Sequence, residues 1–131
     1  MRNPEMREKL IEQKLVDAVR DLGGYALKFV SPGLAGVPDR IVLLPGGRLF
    51  FVELKAPGQK PRPVQRHRME TLRSLGFVVE VLDNPAQIPS LLSRAMESPS
   101  VGQRIVTLRH PFRMQPAEDV RFGPGSAPDP V

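Results

Sequence analysis

Two apolar segments with charged residues at their ends decide the fold of this chain: Val37-Pro38-Asp39-Arg40-Ile41-Val42-Leu43-Leu44 and Leu49-Phe50-Phe51-Val52-Glu53-Leu54-Lys55. Both are typical of buried β-strands, and the Pro45-Gly46-Gly47 segment between them predicts a hairpin turn. Asp39 begins the first strand, whereas Glu53 and Lys55 end the second. Because an unpaired buried charge is costly, these three groups are expected to pair, to bind a metal ion or to do chemistry.

The segments on either side of this hairpin predict helices and two further strands. A first helix is expected from the N-cap Asn3 to Gly23-Gly24, followed by a half-buried strand over residues 25–30. A second helix is predicted over about 62–75, a fourth strand over 77–82, and a third helix from Asp83 to about Met96. The strand over 49–55 is almost continuously apolar, so it is expected to be central in the sheet. The pattern predicts an α/β domain.

Composition limits the class of protein. The chain has 131 residues, a net charge of +5 and no cysteine, which excludes disulfides and thiolate zinc sites. No apolar run approaches the roughly 20 residues of a membrane span, so a soluble, cytoplasmic protein is expected. Residues 1–96 are predicted to form the domain. Residues 97–131, rich in proline and glycine, are predicted to be a partly disordered extension in which 101–108 forms an edge strand or packs against a partner.

The positive charge lies mainly on the second helix and the loop before it. Residues 1–96 hold 15 Lys and Arg against 10 Asp and Glu, whereas 97–131 are neutral. Such a surface suits the phosphate backbone of a nucleic acid, although a solvated helix face has the same composition. The candidate DNA-binding residues are Lys28, Lys60, Arg62, Arg66 and Arg73.

Strand geometry brings the three charged groups of the hairpin together. Glu53 and Lys55 are two residues apart, so their side chains share one face about 7 Å apart. The hairpin turn places Asp39 opposite Glu53, and two such carboxylates repel unless a cation lies between them. Mg²⁺ and Mn²⁺ prefer oxygen ligands of this kind. Spacing alone leaves a salt bridge between Lys55 and either carboxylate equally open.

Two residues on the helices extend the candidate site. Glu12 lies at the edge of the apolar stripe of the first helix, where it is either a boundary glutamate or a carboxylate directed inward. Glu5 and Glu8, in the first turns, suit the positive end of the helix dipole. Gln65 lies on the second helix and is either a residue of the site or a solvated glutamine.

In order, these segments resemble the VRR-NUC family of PD-(D/E)xK nucleases. The resemblance covers about residues 8–83 and rests on Glu12, the Gly36-Val37-Pro38-Asp39 segment, Glu53-Leu54-Lys55 and Gln65. It implies a restriction-endonuclease-like αβββαβ core with a mixed central sheet flanked by helices. It also implies a Mg²⁺- or Mn²⁺-dependent nuclease. In that reading Asp39, Glu53 and the Leu54 carbonyl hold the ion, joined by Glu12, while Lys55 orients or activates the attacking water and Gln65 supports Lys55 or the water.

The small stand-alone members of this family are similar to homodimeric endonucleases that act on branched DNA, including four-way (Holliday) junctions. A dimer also follows from symmetry, because one chain offers one site and a junction needs two symmetric cuts. Two alternatives share the same residues. One is a non-catalytic DNA-binding protein with a nuclease-like fold, and the other is a sequence-specific restriction-type endonuclease.

Overall fold

The computed structural model describes residues 3–97, which belong to one compact unit. The elements, in chain order, are α1 (Pro4–Asp21), β1 (Tyr25–Lys28), β2 (Arg40–Leu44), β3 (Arg48–Leu54), α2 (Pro63–Ser74), β4 (Val79–Leu82) and, after a short 3₁₀ turn over Pro85–Gln87, α3 (Ile88–Glu97). The predicted αβββαβ order is confirmed. The predicted extension over 97–131, including the strand over 101–108, lies outside the described residues except for Glu97.

The first helix forms as its sequence predicts. The Asn3 side chain accepts a hydrogen bond from the Met6 backbone N–H at 2.8 Å, and Pro4 occupies the first turn. Ile11, Leu15 and Val19 follow at four-residue spacing and are completely buried.

A mixed four-stranded sheet forms the centre of the domain, with strand order β1-β2-β3-β4. The pairs β1–β2 and β2–β3 are antiparallel, whereas β3 and β4 are parallel. In the turn between β2 and β3, Gly46 and Gly47 have φ angles of +87° and +73°, which glycine adopts without strain. The predicted central position of β3 is confirmed, because its residues from Phe50 to Leu54 are all buried.

Helices cover both faces of the sheet. The side chains of α1 and α3 pack with Val42, Phe50 and Val52 in the larger core cluster. On the opposite face, Met69 of α2 packs with Phe51 and neighbouring strand residues in a smaller cluster. The domain is therefore a three-layer α/β fold, as predicted. Among residues 3–97, no helix is both long and apolar enough to cross a bilayer.

Strand β1 departs from the sequence prediction. It spans only Tyr25–Lys28, and three of its four residues are exposed, whereas a half-buried strand over 25–30 was expected. The reason is its position. β1 is an edge strand, and none of its residues belongs to the core cluster that α2 covers.

Candidate active site

Asp39 and Glu53 lie opposite each other where β2 begins and β3 ends. The hairpin register pairs Arg40 with Val52, so the next residues outward, Asp39 and Glu53, face each other on one side of the sheet. The Asp39 carbonyl oxygen accepts a hydrogen bond from the Phe29 N–H at 2.9 Å, which holds residue 39 in line with the sheet. The predicted placement of Asp39 near Glu53 is confirmed.

The Asp39 carboxylate is fixed against the backbone of β3. Its Oδ2 accepts a hydrogen bond from the Leu54 N–H at 2.8 Å. Burial raises the pKa of Asp39, while the Leu54 N–H and the Lys55 charge act in the opposite direction. The Leu54 peptide therefore ties the two strands together at the point where the acidic residues meet.

Glu53 is the most deeply buried acidic residue of the described chain, with only 1% of its surface exposed. Its Oε2 accepts a hydrogen bond from Gln65 Nε2 at 2.7 Å and lies 3.3 Å from Lys55 Nζ. Its other oxygen, Oε1, is buried and has no hydrogen-bond partner among the described residues. Burial, and then the charge of Asp39, raise the pKa of Glu53 to about 7.

Lys55 forms an ion pair with Glu53, so the salt bridge that spacing alone left open is present. Its backbone N–H donates to the Leu82 carbonyl at 3.0 Å, which fixes the end of β3 against β4. The ion pair does not neutralise the charge of the site. Glu53 Oε1 still has no hydrogen-bond donor among the described residues, and a second carboxylate, that of Asp39, lies on the same side of the sheet. A salt bridge alone therefore does not account for the arrangement.

Gln65 lies in the first turn of α2 and supports Glu53. Its Nε2 donates to Glu53, and its Oε1 accepts from the Arg62 backbone N–H at 2.8 Å. The contact with Glu53 was not predicted, and the expected support of Lys55 or the attacking water by Gln65 stays a prediction. The amide is buried and uses both its nitrogen and its oxygen within the protein, so it orients the carboxylate.

Glu12 is directed inward from α1, but it pairs with Arg40. Arg40 Nε and Nη2 lie 3.0 and 2.7 Å from Glu12 Oε2, and Arg40 Nη1 donates to the Ala26 carbonyl at 2.8 Å. Arg40 therefore ties α1 to both β1 and β2 beside Asp39. The role of Glu12 as a metal ligand stays a prediction, and the structure gives its carboxylate a second function as the partner of Arg40.

Sequence reasoning missed Glu8. Burial, followed by the charge of Asp39, raises the pKa of Glu8, and Lys55 acts against this rise. Glu8 is thus electrostatically coupled to the acidic residue and the lysine of the site. Its position in the early turns of the helix had assigned it to the helix dipole. Its spacing could have indicated a place near the site, since Glu8 lies four residues before Glu12 and shares its helix face.

The residues at this end of the sheet fit a hard divalent cation. Asp39 and Glu53 offer carboxylate oxygens, and Glu53 Oε1 is a buried acceptor that lacks a donor. Within residues 3–97, no group of three or more Asp, Glu, His or Cys side chains is arranged to hold an ion by itself. The set therefore amounts to two carboxylates, which suits Mg²⁺ because that ion keeps several waters and substrate oxygens as ligands.

The predicted DNA-binding residues do not form one uniform surface. Lys28, Lys60, Arg62 and Arg66 are exposed near the N-terminal end of α2 or at the end of β1. Arg73 instead lies in the last turn of α2, and its Nη2 donates to the Val79 carbonyl at 2.7 Å. It is about 12 Å along the helix from Gln65, and this distance separates it from the other four.

Comparisons with known proteins agree with this geometry. No family model matches the chain. A relative described as "Putative nuclease p44", from Acyrthosiphon pisum secondary endosymbiont phage 1, is 56% identical over 79 residues, which cover 60% of this chain and 85% of the relative. A solved structure described as "VRR_NUC domain" matches with a TM-score of 0.63 and 32% identity, over 66% of this chain and 95% of that one.

The fold is that of a nuclease of the PD-(D/E)xK type, with Pro38-Asp39 directly before β2 and Glu53-Leu54-Lys55 at the end of β3. The chain belongs to the VRR-NUC family.

Proposed function

We propose that this nuclease is a metal-dependent DNA endonuclease that hydrolyses phosphodiester bonds and prefers branched DNA such as four-way junctions. The observation that carries the proposal is the unbalanced acidic pair. Asp39 and Glu53 lie opposite each other, Lys55 is bound to only one of them, and a buried oxygen of Glu53 has no donor. Such a buried acidic pair is unfavourable by itself. A bound cation, with a substrate phosphate as a further ligand, would offset the charge of the two carboxylates.

In this proposal Asp39, Glu53 and the Leu54 carbonyl hold Mg²⁺ or Mn²⁺. Glu8 or Glu12 of α1 contributes a further carboxylate, directly or through water. When bound, the ion polarises the phosphate and offsets negative charge in the transition state. Lys55 Nζ, 3.3 Å from Glu53, is positioned to orient the attacking water or a phosphate oxygen. Gln65 keeps Glu53 in a fixed orientation, and the Leu54 N–H does the same for Asp39.

The preference for DNA branches and a homodimeric assembly belong to the same proposal. One chain carries one such site, and two symmetric cuts across a junction need two sites related by a two-fold axis. The exposed basic residues Lys28, Lys60, Arg62 and Arg66 suit contacts to phosphates, which position DNA without reading its sequence.

The test is cleavage of labelled DNA by the wild-type protein. The substrates are a four-way junction, a flap and a linear duplex, each with Mg²⁺, with Mn²⁺ and with EDTA. We expect cutting of the branched substrates at the branch and only with metal. Cutting at one sequence in every substrate would favour a restriction-type enzyme, and binding without cutting would favour a non-catalytic protein. A solution mass near 14.5 kDa with and without DNA would contradict the dimer.

A further inference from the structure

The loop between β1 and β2 exposes apolar side chains beside the candidate active site. Val30 and Leu34 in this loop are 74% and 45% exposed, and Val64, in the first turn of α2, is 37% exposed. The same loop continues through Gly36 and Pro38 into Asp39. The chain therefore places large apolar groups in solvent close along the chain to an acidic residue of the site.

The loop is held in place at its base and along one side. The Phe29 N–H donates to the Asp39 carbonyl at 2.9 Å, which closes the base, and the Leu34 N–H donates to the Ser31 carbonyl at 3.1 Å, which forms a turn. On its side, Arg68 Nε of α2 donates to the Ala35 carbonyl at 2.8 Å. Its apolar side chains are thus presented by an anchored backbone.

Gly36 shows how closely the loop approaches α2. Its φ angle is +83°, and a Cβ atom at this position would lie 2.7 Å from the Val64 carbonyl oxygen. Only glycine allows this backbone conformation and this approach without strain. Val64, whose side chain is also exposed, is therefore a neighbour of the loop at Gly36.

Exposed basic residues lie close along the chain to these apolar side chains. Lys28 precedes Val30 by two residues, and Arg62 precedes Val64 by two, and both are exposed. Exposed apolar side chains with cations nearby along the chain suit a ligand that offers both phosphates and base faces. Because the same loop leads into Asp39, the substrate itself is the ligand that these side chains suit.

We propose that Val30 and Leu34 form an apolar wedge that packs against base pairs exposed at the branch point of DNA. This inference rests on the proposed function and adds a specificity-determining element to it. At a branch, the terminal base pairs stack only on those of another arm, and this stack opens more easily than a step inside a continuous duplex, so an apolar side chain covers them at a lower cost. In a continuous duplex the same contact requires a base step to be unstacked, which disfavours binding. The wedge thus separates branched from linear DNA.

The test compares a Val30→Ser/Leu34→Ser variant with wild type. Affinity is measured in Ca²⁺ for a four-way junction and for a linear duplex of the same arm sequence, and junction cleavage is then measured in Mg²⁺. We expect junction affinity and cleavage to fall by about tenfold or more while duplex affinity stays within about twofold. Leu75→Ser, a similar loss of an exposed apolar side chain at the C-terminal end of α2, is the matched control and should match wild type.

A second readout reports the contact itself. The fluorescent base 2-aminopurine, placed beside the branch point, should change its emission when wild type binds and remain unchanged with the double variant. An unchanged ratio of junction to duplex affinity in the double variant, with wild type still cutting junctions, overturns the wedge alone. A wild-type protein that cuts no DNA overturns the proposed function and the wedge together. A change from dimer to monomer in the double variant, with the affinity ratio kept, assigns this surface to a second copy of the chain instead.

Discussion

The Glu12 carboxylate is bound by Arg40, with Nη2 and Nε of the guanidinium 2.7 and 3.0 Å from Glu12 Oε2. Arg40 directly follows Asp39, so this pair joins α1 to the sheet beside the candidate site. Burial, followed by the charge of Asp39, raises the pKa of Glu8, which lies four residues earlier on α1. Both glutamates of this helix face are therefore linked to Asp39 by charge, and Glu12 has in addition a structural task as the partner of Arg40.

The ion pair of Glu12 with Arg40 predicts different effects of two equivalent substitutions. Glu12→Gln should destabilise the fold by about 1–3 kcal/mol, because it leaves Arg40 part-buried without its charged partner. Glu8→Gln should leave the free energy of unfolding unchanged or slightly higher, yet lower the cleavage rate by about tenfold or more. Urea unfolding and single-turnover cleavage of a junction measure the two effects.

A double-mutant cycle provides the control for this prediction. Coupling between Glu12→Gln and Arg40→Gln should amount to about 1 kcal/mol or more, whereas Glu8→Gln and Arg40→Gln should be nearly additive. The opposite pattern, with Glu8 coupled to Arg40 and Glu12→Gln affecting only the rate, would exchange the two roles.

The raised pKa of Glu53 predicts how the stability of the metal-free protein changes with pH. Since its folded-state pKa of about 7 lies above the ordinary value of 4.5, the folded protein binds a proton here more tightly than the unfolded chain does. This contribution is fully present below about pH 4.5 and is lost as the pH rises through about 7. It amounts to at most about 3 kcal/mol.

The measurement is the free energy of unfolding of wild type and Glu53→Gln between pH 5 and pH 8 in EDTA. The variant should gain stability relative to wild type as the pH rises, because it never carries the buried charge. Glu70→Gln, at an exposed position on α2, is the matched control. A difference between Glu53→Gln and wild type that stays constant over this range would show that burial of the Glu53 charge does not limit stability.

Arg62 and Arg68 should affect different steps, binding of DNA and its cleavage, when each is replaced. Arg68 donates to the Ala35 carbonyl and so positions the loop that leads to Asp39, whereas Arg62 is exposed at the start of α2. Arg68→Gln should lower the cleavage rate of bound DNA with little change in the salt dependence of binding. Arg62→Gln should weaken binding and reduce the slope of log K against log salt by about 1.

Rescue by lysine separates these roles further. A lysine at position 62 keeps the charge and should restore most of the binding of Arg62→Gln. A lysine at position 68 keeps the charge but lacks the Nε donor that contacts Ala35, so Arg68→Lys should remain slow. Equal salt slopes in all four variants would contradict the assignment of Arg62 to a phosphate.

The sequence predicted the centre of this site because its geometry is local. The hairpin turn and two-residue alternation along the strands are enough to place Asp39 opposite Glu53 and Lys55 on the same face as Glu53. The N-cap, the turn glycines and the apolar run of β3 likewise act within their own segments, so the order of helices and strands was predictable.

The partners that arise from tertiary packing were not predictable. Gln65 contacts Glu53 because α2 begins above the end of β3, and Arg40 reaches Glu12 from another layer of the fold. Neither contact has a signature in sequence spacing, since the residues are 12 and 28 positions apart. The exposure of β1 was missed for a similar reason, because an edge position depends on where the other strands lie.

The central claim is that Asp39 and Lys55 belong to a metal-dependent centre that cuts DNA. The most direct measurement is single-turnover cleavage of an end-labelled four-way junction at pH 8 by wild type, Asp39→Asn and Lys55→Ala. Asp21→Asn and Lys14→Ala, at exposed positions of α1, are the matched controls. We predict rates at least about 100-fold lower in the two site variants, wild-type rates in the controls, and no cutting without Mg²⁺ or Mn²⁺. Cutting by wild type in EDTA, or cutting by Asp39→Asn within about twofold of wild type, would contradict the account.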